Sequence, residues 1–380
     1  MFFSRRKRIL FYYPQHFNRS VNGTNPFFDP LIKICEKAGI PYDIYEEPDL
    51  GTDKPHNMKA RNAKYFFWTV TIIRKVINYL IPQSCWYRRE QVTASIFNIL
   101  TLGYWKYRKY VSISGSMEEF FLALNPKADV LELQHGIDYS NKVSYFENGQ
   151  LKESYCSSRW HLMSWGEGYR RCVIRGHEND YGLKDRVHVV GYPMYKVNPF
   201  LKSASIEKAS IFTILFSLQF TNDWSKEKLE AYKQVICETL QMLDGTGYKI
   251  LLKHHPRYNN CIDLSDISKR FPFVEFTQDM LGDLQKETDL HITLNSTTAF
   301  EFAEVGVPTY FLQNKDFPQC DSLFYKEYDY PLYVNMDILK VIDRLKESAN
   351  YKEDTTIIMN WYKKFYSPLD ENLIIKLLKK

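Results

Sequence analysis

Apolar residues in this chain fall into short dense runs, separated by longer stretches in which they recur every three or four positions. Such runs read as buried strands, and the recurrences read as amphipathic helices. The first run, Arg8–Tyr13, follows a basic cluster and ends at Pro14. A helix is expected over Asn25–Gly39, with Phe27, Phe28, Leu31, Ile32 and Ile34 as its apolar members and Gly39 as its stop. Strands are expected at Tyr42–Tyr45, Asp129–Leu133, Trp160–Trp165 and Arg186–Val190. Residues 57–110 read as helix-like, basic and aromatic, and Met117–Leu124 as a further helix. The pattern breaks at Tyr192–Ser205, where Pro193, Pro199 and a polar stretch mark a linker. A second series follows: strand Ser210–Ser217, helix Lys226–Leu243, strand Tyr248–Lys253, and short strands Val274–Phe276 and Leu290–Leu294. Residues His291–Leu312 read as strand, turn, helix and strand, and a last helix spans Thr355–Lys380.

Strands alternating with helices, with few hairpin signals, argue for an α/β fold with a parallel sheet in each half. A chain of 380 residues is too long for one ordinary core. We expect two Rossmann-like domains: residues 1–200, with the helix 355–380 packing back on them, and residues 201–354. The carboxyl ends of their strands would face each other across a cleft, and ligands bind at such ends.

The charged fraction of 25% and aromatic fraction of 16% mark a packed globular protein. A net charge of +5 suits a phosphate-bearing substrate or an anionic membrane surface without demanding nucleic acid. Seven cysteines with no Cys-x-x-Cys pair speak against a disulfide framework or structural zinc, and for a reducing cytoplasm. Ile9–Tyr13 is too short for a signal-peptide core. The best membrane-span candidate, Tyr65–Ile81, is interrupted by Arg74, Lys75 and Asn78. It is either a helix packed on its own domain or an interfacial patch on anionic lipid, and one face can serve each purpose.

Four motifs fall at expected strand ends. Glu132-Leu133-Gln134-His135-Gly136 places a histidine directly after a buried strand, either as a general base or as a hydrogen-bonding cap. Gly136 would let the backbone turn sharply or approach a ligand closely. Lys253-His254-His255-Pro256-Arg257 is a basic cluster suited to nucleotide phosphates; His255, beside the proline, is assigned to the cleft. Ser296, Thr297 and Thr298 stand at a helix start that would attract an anion, or serve as an ordinary N-cap. Glu301, one turn on, would accept from ribose hydroxyls. Ser217, Gln219 and Thr221 follow the first strand of the second domain and would touch the nucleotide. Glu167, in a Gly-Glu-Gly loop, is a minor acceptor-side candidate. No Asp-x-Asp string, Gly-x-Gly-x-x-Gly or phosphate-binding Gly-x-x-x-x-Gly-Lys occurs. No metal site is expected.

Leu133-Gln134-His135-Gly136, Val190-Gly191-Tyr192-Pro193, Lys253-His254-His255-Pro256 and Asn295-Ser296-Thr297-Thr298, with Glu301 and Gly306-Val307-Pro308 beyond, resemble a known set. They look like the motifs of inverting bacterial glycosyltransferases of the GT-B fold. Among these, the motifs are similar to those of CDP-glycerol glycerophosphotransferases, capsular Kdo transferases and polysialyltransferases. The resemblance spans roughly residues 110–315. It implies His135 as the base and His255, Ser296 and Thr297 at the donor phosphate. It further implies a nucleotide-sugar donor, no cofactor, a glycan or lipid-linked glycan acceptor, and no nucleic-acid partner. The expected place is the cytoplasm, at the cytoplasmic face of the inner membrane. Bacterial sialyltransferases carry an acidic base where this chain has His135. Transfer of a polyol phosphate, 2-epimerisation of a nucleotide sugar and a non-catalytic scaffold remain alternatives.

Overall fold

The computed structural model describes residues 9–14, 22–47, 54–83, 86–113, 115, 117–137, 145–196, 211–255, 261–314 and 323–379. Pro256, Arg257 and most of the expected linker lie outside them. The chain divides into two compact units: Met1–Lys196 with Phe365–Lys380, and Val197–Lys364.

In chain order the N-terminal unit begins with β1 (Ile9–Tyr13), α1 (Asp29–Lys37), β2 (Tyr42–Glu46), β3 (Arg61–Asn62), α2 (Lys64–Leu80), α3 (Trp86–Leu100) and β4 (Lys109–Ile113). It continues with α4 (Glu118–Leu124), β5 (Asp129–Leu133), the short hairpin β6 (Phe146–Glu147) and β7 (Gln150–Leu151), β8 (Trp160–Ser164), α5 (Glu167–Ile174) and β9 (Val187–Val189). Its main sheet runs β3-β2-β1-β4-β5-β8-β9, all parallel. The chain therefore winds outward from β1 one way, then returns to lay β4 on its other side. That reversal is the topological switch point of a doubly wound sheet.

Strand β1 is buried along its whole length because helices cover both faces. Alternate residues serve opposite faces. Phe11 and Tyr13 join a core with Leu31, Cys35, Ile374 and Leu378. Tyr12 packs on Phe66 of α2 and Phe121 of α4, each ring centroid 5.5 Å away.

The C-terminal unit repeats the plan. Its elements are β10 (Thr213–Ser217), α6 (Lys226–Met242), β11 (Lys249–Lys253), α7 (Ser265–Arg270), β12 (Val274–Thr277), α8 (Leu281–Glu287), β13 (Leu290–Thr293), α9 (Thr298–Glu304), β14 (Thr309–Phe311), α10 (Leu323–Lys326) and α11 (Ile338–Lys346). The parallel sheet order is β12-β11-β10-β13-β14, with its switch point between β10 and β13. Two helices follow, α12 (Ser348–Phe365) and α13 (Glu371–Lys379). Trp361 of α12 stacks on Phe300 with centroids 4.5 Å apart.

Three expectations need correction. Residues 57–110 are not continuously helical: they hold β3, two helices, and the start of β4. Lys109 and Ser112 disguise β4 as polar, yet both are buried, and Lys109 reaches Asp129 at 2.6 Å. The single helix Thr355–Lys380 is two, broken at Ser367 and Pro368. Gly191 and Tyr192 are not linker. They pack on that break within the N-terminal unit: Tyr192 N donates to Ser367 O at 2.8 Å, and Asp370 N to Val190 O at 2.9 Å.

Candidate functional site

Strand β5 delivers Gln134, His135 and Gly136 at its carboxyl end. Gln134 is buried; its Oε1 accepts from Trp165 N at 2.8 Å and its Nε2 donates to Gly136 O at 2.9 Å. One amide side chain thus pins the loop after β5 to the end of β8. His135 emerges from this fixed loop exposed, and it lines a cavity of about 630 Å³. Gly136 has no positive φ, and a Cβ there would meet nothing within 4 Å. A sharp turn is therefore not its reason.

Glu167 is not in a flexible loop. It opens α5, where a carboxylate complements the helix dipole, and it accepts from Arg170 Nη1 at 3.1 Å and Arg171 Nε at 3.3 Å.

The cavity is also lined by four carboxyl groups to which sequence reading gave no role, Glu118, Glu119, Glu132 and Glu147. Glu132, in mid-strand, accepts from Trp160 Nε1 at 3.0 Å and Tyr145 Oη at 3.3 Å. Burial, then the like charge of Glu118, pushes its carboxyl well above the usual range. Glu118 accepts from Met117 N at 3.0 Å, and burial raises its carboxyl to about 7. Glu119 accepts from Ser154 Oγ at 2.8 Å and from Trp86 Nε1, and burial raises it too. A charge inside the run Val130-Leu131-Glu132-Leu133 was the available signal, because lone charges are seldom fully buried without a function or a partner. Arg74, on the same wall, is held in a two-pronged pair by Glu90 at 2.9 and 2.7 Å.

In the C-terminal unit the switch point gathers Ser217, Gln219 and the turn Asn295–Thr298. Gln219 Oε1 accepts from Thr293 Oγ1 at 3.1 Å and from Asn295 N, so it fixes the start of that turn. Ser296 Oγ accepts from Thr298 N at 3.3 Å, and Thr297 is the N-cap residue of α9 without a side-chain capping bond.

Ser217 and Thr298 are drawn to a residue that carried no assigned role. His291 is wholly buried, with Ser217 Oγ at 2.9 Å, Thr309 Oγ1 at 3.0 Å and Thr298 Oγ1 at 3.4 Å. Burial lowers its pKa to about 3, so it is a neutral ring joining β10, β13, β14 and α9. Its position in a dense apolar strand was the only hint.

Lys253 Nζ donates to the carbonyl of Asp279. The paired histidines divide by enclosure. His254 is half-buried, stacks on Phe276 at 5.3 Å and lines a second cavity of about 480 Å³, whereas His255 is exposed. Glu301 reaches solvent beside Glu304; desolvation first, and that neighbouring charge second, shifts its carboxyl upward. Among the described residues, no His, Cys, Asp and Glu group is placed to hold a metal ion.

No family model and no curated protein matches the chain. Solved structures do. A UDP-GlcNAc 2-epimerase from Neisseria meningitidis bound to UDP-GlcNAc is 12% identical, with a TM-score of 0.51 over 98% of this chain and 100% of that one. The S. aureus MnaA–UDP complex is 11% identical, with a TM-score of 0.50 over 98% and 95%. The wall teichoic acid polymerase TagF is 15% identical, with a TM-score of 0.48 over 98% and 90%. The chain has the GT-B fold. Identities this low establish the architecture, two Rossmann-like units in one polypeptide, and nothing finer.

Proposed function

We propose that this GT-B chain is an inverting glycosyltransferase that needs no divalent metal and builds a bacterial surface glycan. The observation that carries the reading is His135: an exposed imidazole on a loop clamped by Gln134, at the end of a buried strand and on the wall of a cavity. A base needs that combination of rigidity and access. His135 takes the proton of an acceptor hydroxyl as its oxygen bonds to the anomeric carbon of a nucleotide-activated sugar. The bond from that carbon to the phosphate oxygen breaks, and its electron pair leaves with the nucleotide. Ser296, Thr297 and His255, in the C-terminal unit, stabilise that charge, and Lys253, Gln219 and Glu301 support the donor. A nucleotide-sugar donor is supported by the fold neighbours bound to UDP and UDP-GlcNAc.

His135→Ala should lose turnover while its melting temperature still rises with the cognate nucleotide, found by screening CMP, CDP, UDP, GDP and dTDP. Near-normal turnover in that variant overturns the base assignment. Conversion of the donor without acceptor would favour epimerisation, and a product heavier by a polyol phosphate would favour that transfer.

The second partner is an anionic membrane surface, at the cytoplasmic face. Helix α2 buries Phe66, Val70, Ile73 and Ile77. Tyr65, Trp68, Ile72, Val76 and Tyr79 recur at helical spacing and are exposed, Trp68 by 59% and Tyr79 by 92%. A second apolar stripe with interfacial aromatics, on a helix that also exposes Lys75, suits anionic lipid. No described helix is long and apolar enough to cross a membrane. The wild type should sediment with phosphatidylglycerol vesicles and the double variant Trp68→Glu, Ile72→Glu should not. A wild type that stays in the supernatant, or that dimerises through this face, refutes the assignment.

A further inference from the structure

The cavity beside His135 has a charge of its own. Glu118, Glu119, Glu132 and Glu147 line it against Arg74 and Lys152. Because Glu90 already matches Arg74, the described lining residues keep a surplus of carboxylate, Glu119 and Glu147 against Lys152. Trp86 and Tyr155 add aromatic surface. The volume, about 630 Å³, falls within the span of small-ligand pockets, roughly 300–1,000 Å³.

Glu118 separates this wall from an ordinary acidic cluster. It is 1% exposed, and its Oε1 is enclosed without a hydrogen-bond partner. The Ser112 hydroxyl is close enough to favour the ionised carboxyl, but it too is left without a hydrogen bond. A buried carboxylate oxygen in that state is costly unless a donor from a ligand reaches it. Glu119 is half-buried and already holds the Trp86 indole, which orients the ring on the cavity wall.

We infer that this cavity seats the acceptor terminus, that the terminus is a sugar without negative charge, and that Glu118 and Glu119 bind its hydroxyl or ammonium groups. The inference rests on the transferase reading and narrows it. Carboxylates accept from hydroxyls and ammonium groups, and aromatic faces pack on the apolar side of a pyranose. A terminus bearing phosphate or carboxylate meets like charge here, which selects against it.

The test is a saturation-transfer NMR titration of the full chain with methyl glucoside, methyl glucosaminide and N-acetylneuraminic acid, run beside UDP and CDP. At least one uncharged or amino glycoside should bind, and the sialic acid should neither bind nor displace it. Glu118→Gln and the more exposed Glu119→Gln should each weaken glycoside binding about tenfold or more, the loss of a charge-assisted hydrogen bond, and leave nucleotide binding unchanged. The inference is overturned if the sialic acid binds as well, if both variants bind glycosides as the wild type does, or if no glycoside binds while a nucleotide does. Failure of every nucleotide to bind would sink the transferase reading itself.

Discussion

Replacing Glu118 with glutamine should make the N-terminal unit more stable at high pH and leave it unchanged in acid. The folded carboxyl titrates at about 7 against an ordinary value of 4.5, with burial as the first cause. Between those values the folded chain holds a proton that the unfolded chain has released. Rising pH therefore weakens folding: the favourable state is complete below the unfolded value and is lost as pH climbs through the folded one. The difference between those two values corresponds to about 3 kcal/mol. The groups facing Glu118 are Glu132 from β5, Glu119 on its own helix, the Ser112 hydroxyl from β4 and the Tyr155 phenol. Glutamine keeps the shape and cannot ionise. It also removes the like charge that raises Glu132, which adds to the gain in alkali. Hydrogen exchange of β4 and β5 peptides in urea, from about pH 4 to about pH 8, gives the unfolding free energy locally. The variant should track the wild type at the acid end and exceed it by about 3 kcal/mol at the alkaline end. Parallel curves across the range would refute the buried-carboxyl argument.

Gly191→Ala should destabilise the N-terminal unit by about 3 kcal/mol or more, read as a lowered melting temperature, because the new Cβ would lie 2.1 Å from Pro368 O at a φ of +90°. Gln134→Ala should cut turnover while nucleotide binding persists, since it frees the His135 loop and strips partners from Trp165 N and Gly136 O; a drop in kcat without a change in nucleotide affinity is the distinguishing readout. His291→Ala should cost about 2–4 kcal/mol in thermal or urea unfolding and weaken nucleotide binding, because Ser217 and Thr298 lose their anchor at the switch point.

Where both faces of a strand are covered, the sequence announced it. Strand β5 was read at its observed limits despite Glu132, and β10 and β11 nearly so, because parallel strands under helices are dense apolar runs. Strand β4 escaped because the charge of Lys109 is matched by a tertiary partner, Asp129, that no local window contains. Helix α5 escaped because Gly166-Glu167-Gly168 imitates a loop. Gly168 is there for space: a Cβ would lie 2.8 Å from the ring of Phe365, which arrives from the far end of the chain. The candidate site divides the same way. The motifs were expected at strand ends, and Gln219 and the Asn295–Thr298 turn do follow strands β10 and β13, beside the reversal of strand order. The function of His291 and the meeting of Glu118 with Glu132 depend on which strands are neighbours. Nothing in the spacing of those residues encodes it.

The acidic cavity bears on the choice among reactions more directly than the motifs do. The strand-end motifs name a base and an anion cradle, and those parts would serve sugar transfer, polyol-phosphate transfer and epimerisation alike. A cavity with surplus carboxylates beside the base distinguishes them. On the proposed reading it would repel a phosphate-bearing nucleotide, so the group it receives would not be the donor. An epimerase has no use for a second binding site of this polarity, and a polymerase extending a phosphate-rich chain would have to overcome it. Helix α2 ties that cavity to the surface. Arg74 on it is matched by Glu90 at the cavity wall, its inner stripe packs on Tyr12 through Phe66, and its outer stripe is apolar and exposed. On the proposed reading, a lipid-borne sugar is the acceptor that would make one helix with two apolar faces economical: the outer face would meet the membrane that carries the acceptor, and the inner face would help shape the pocket for its uncharged end.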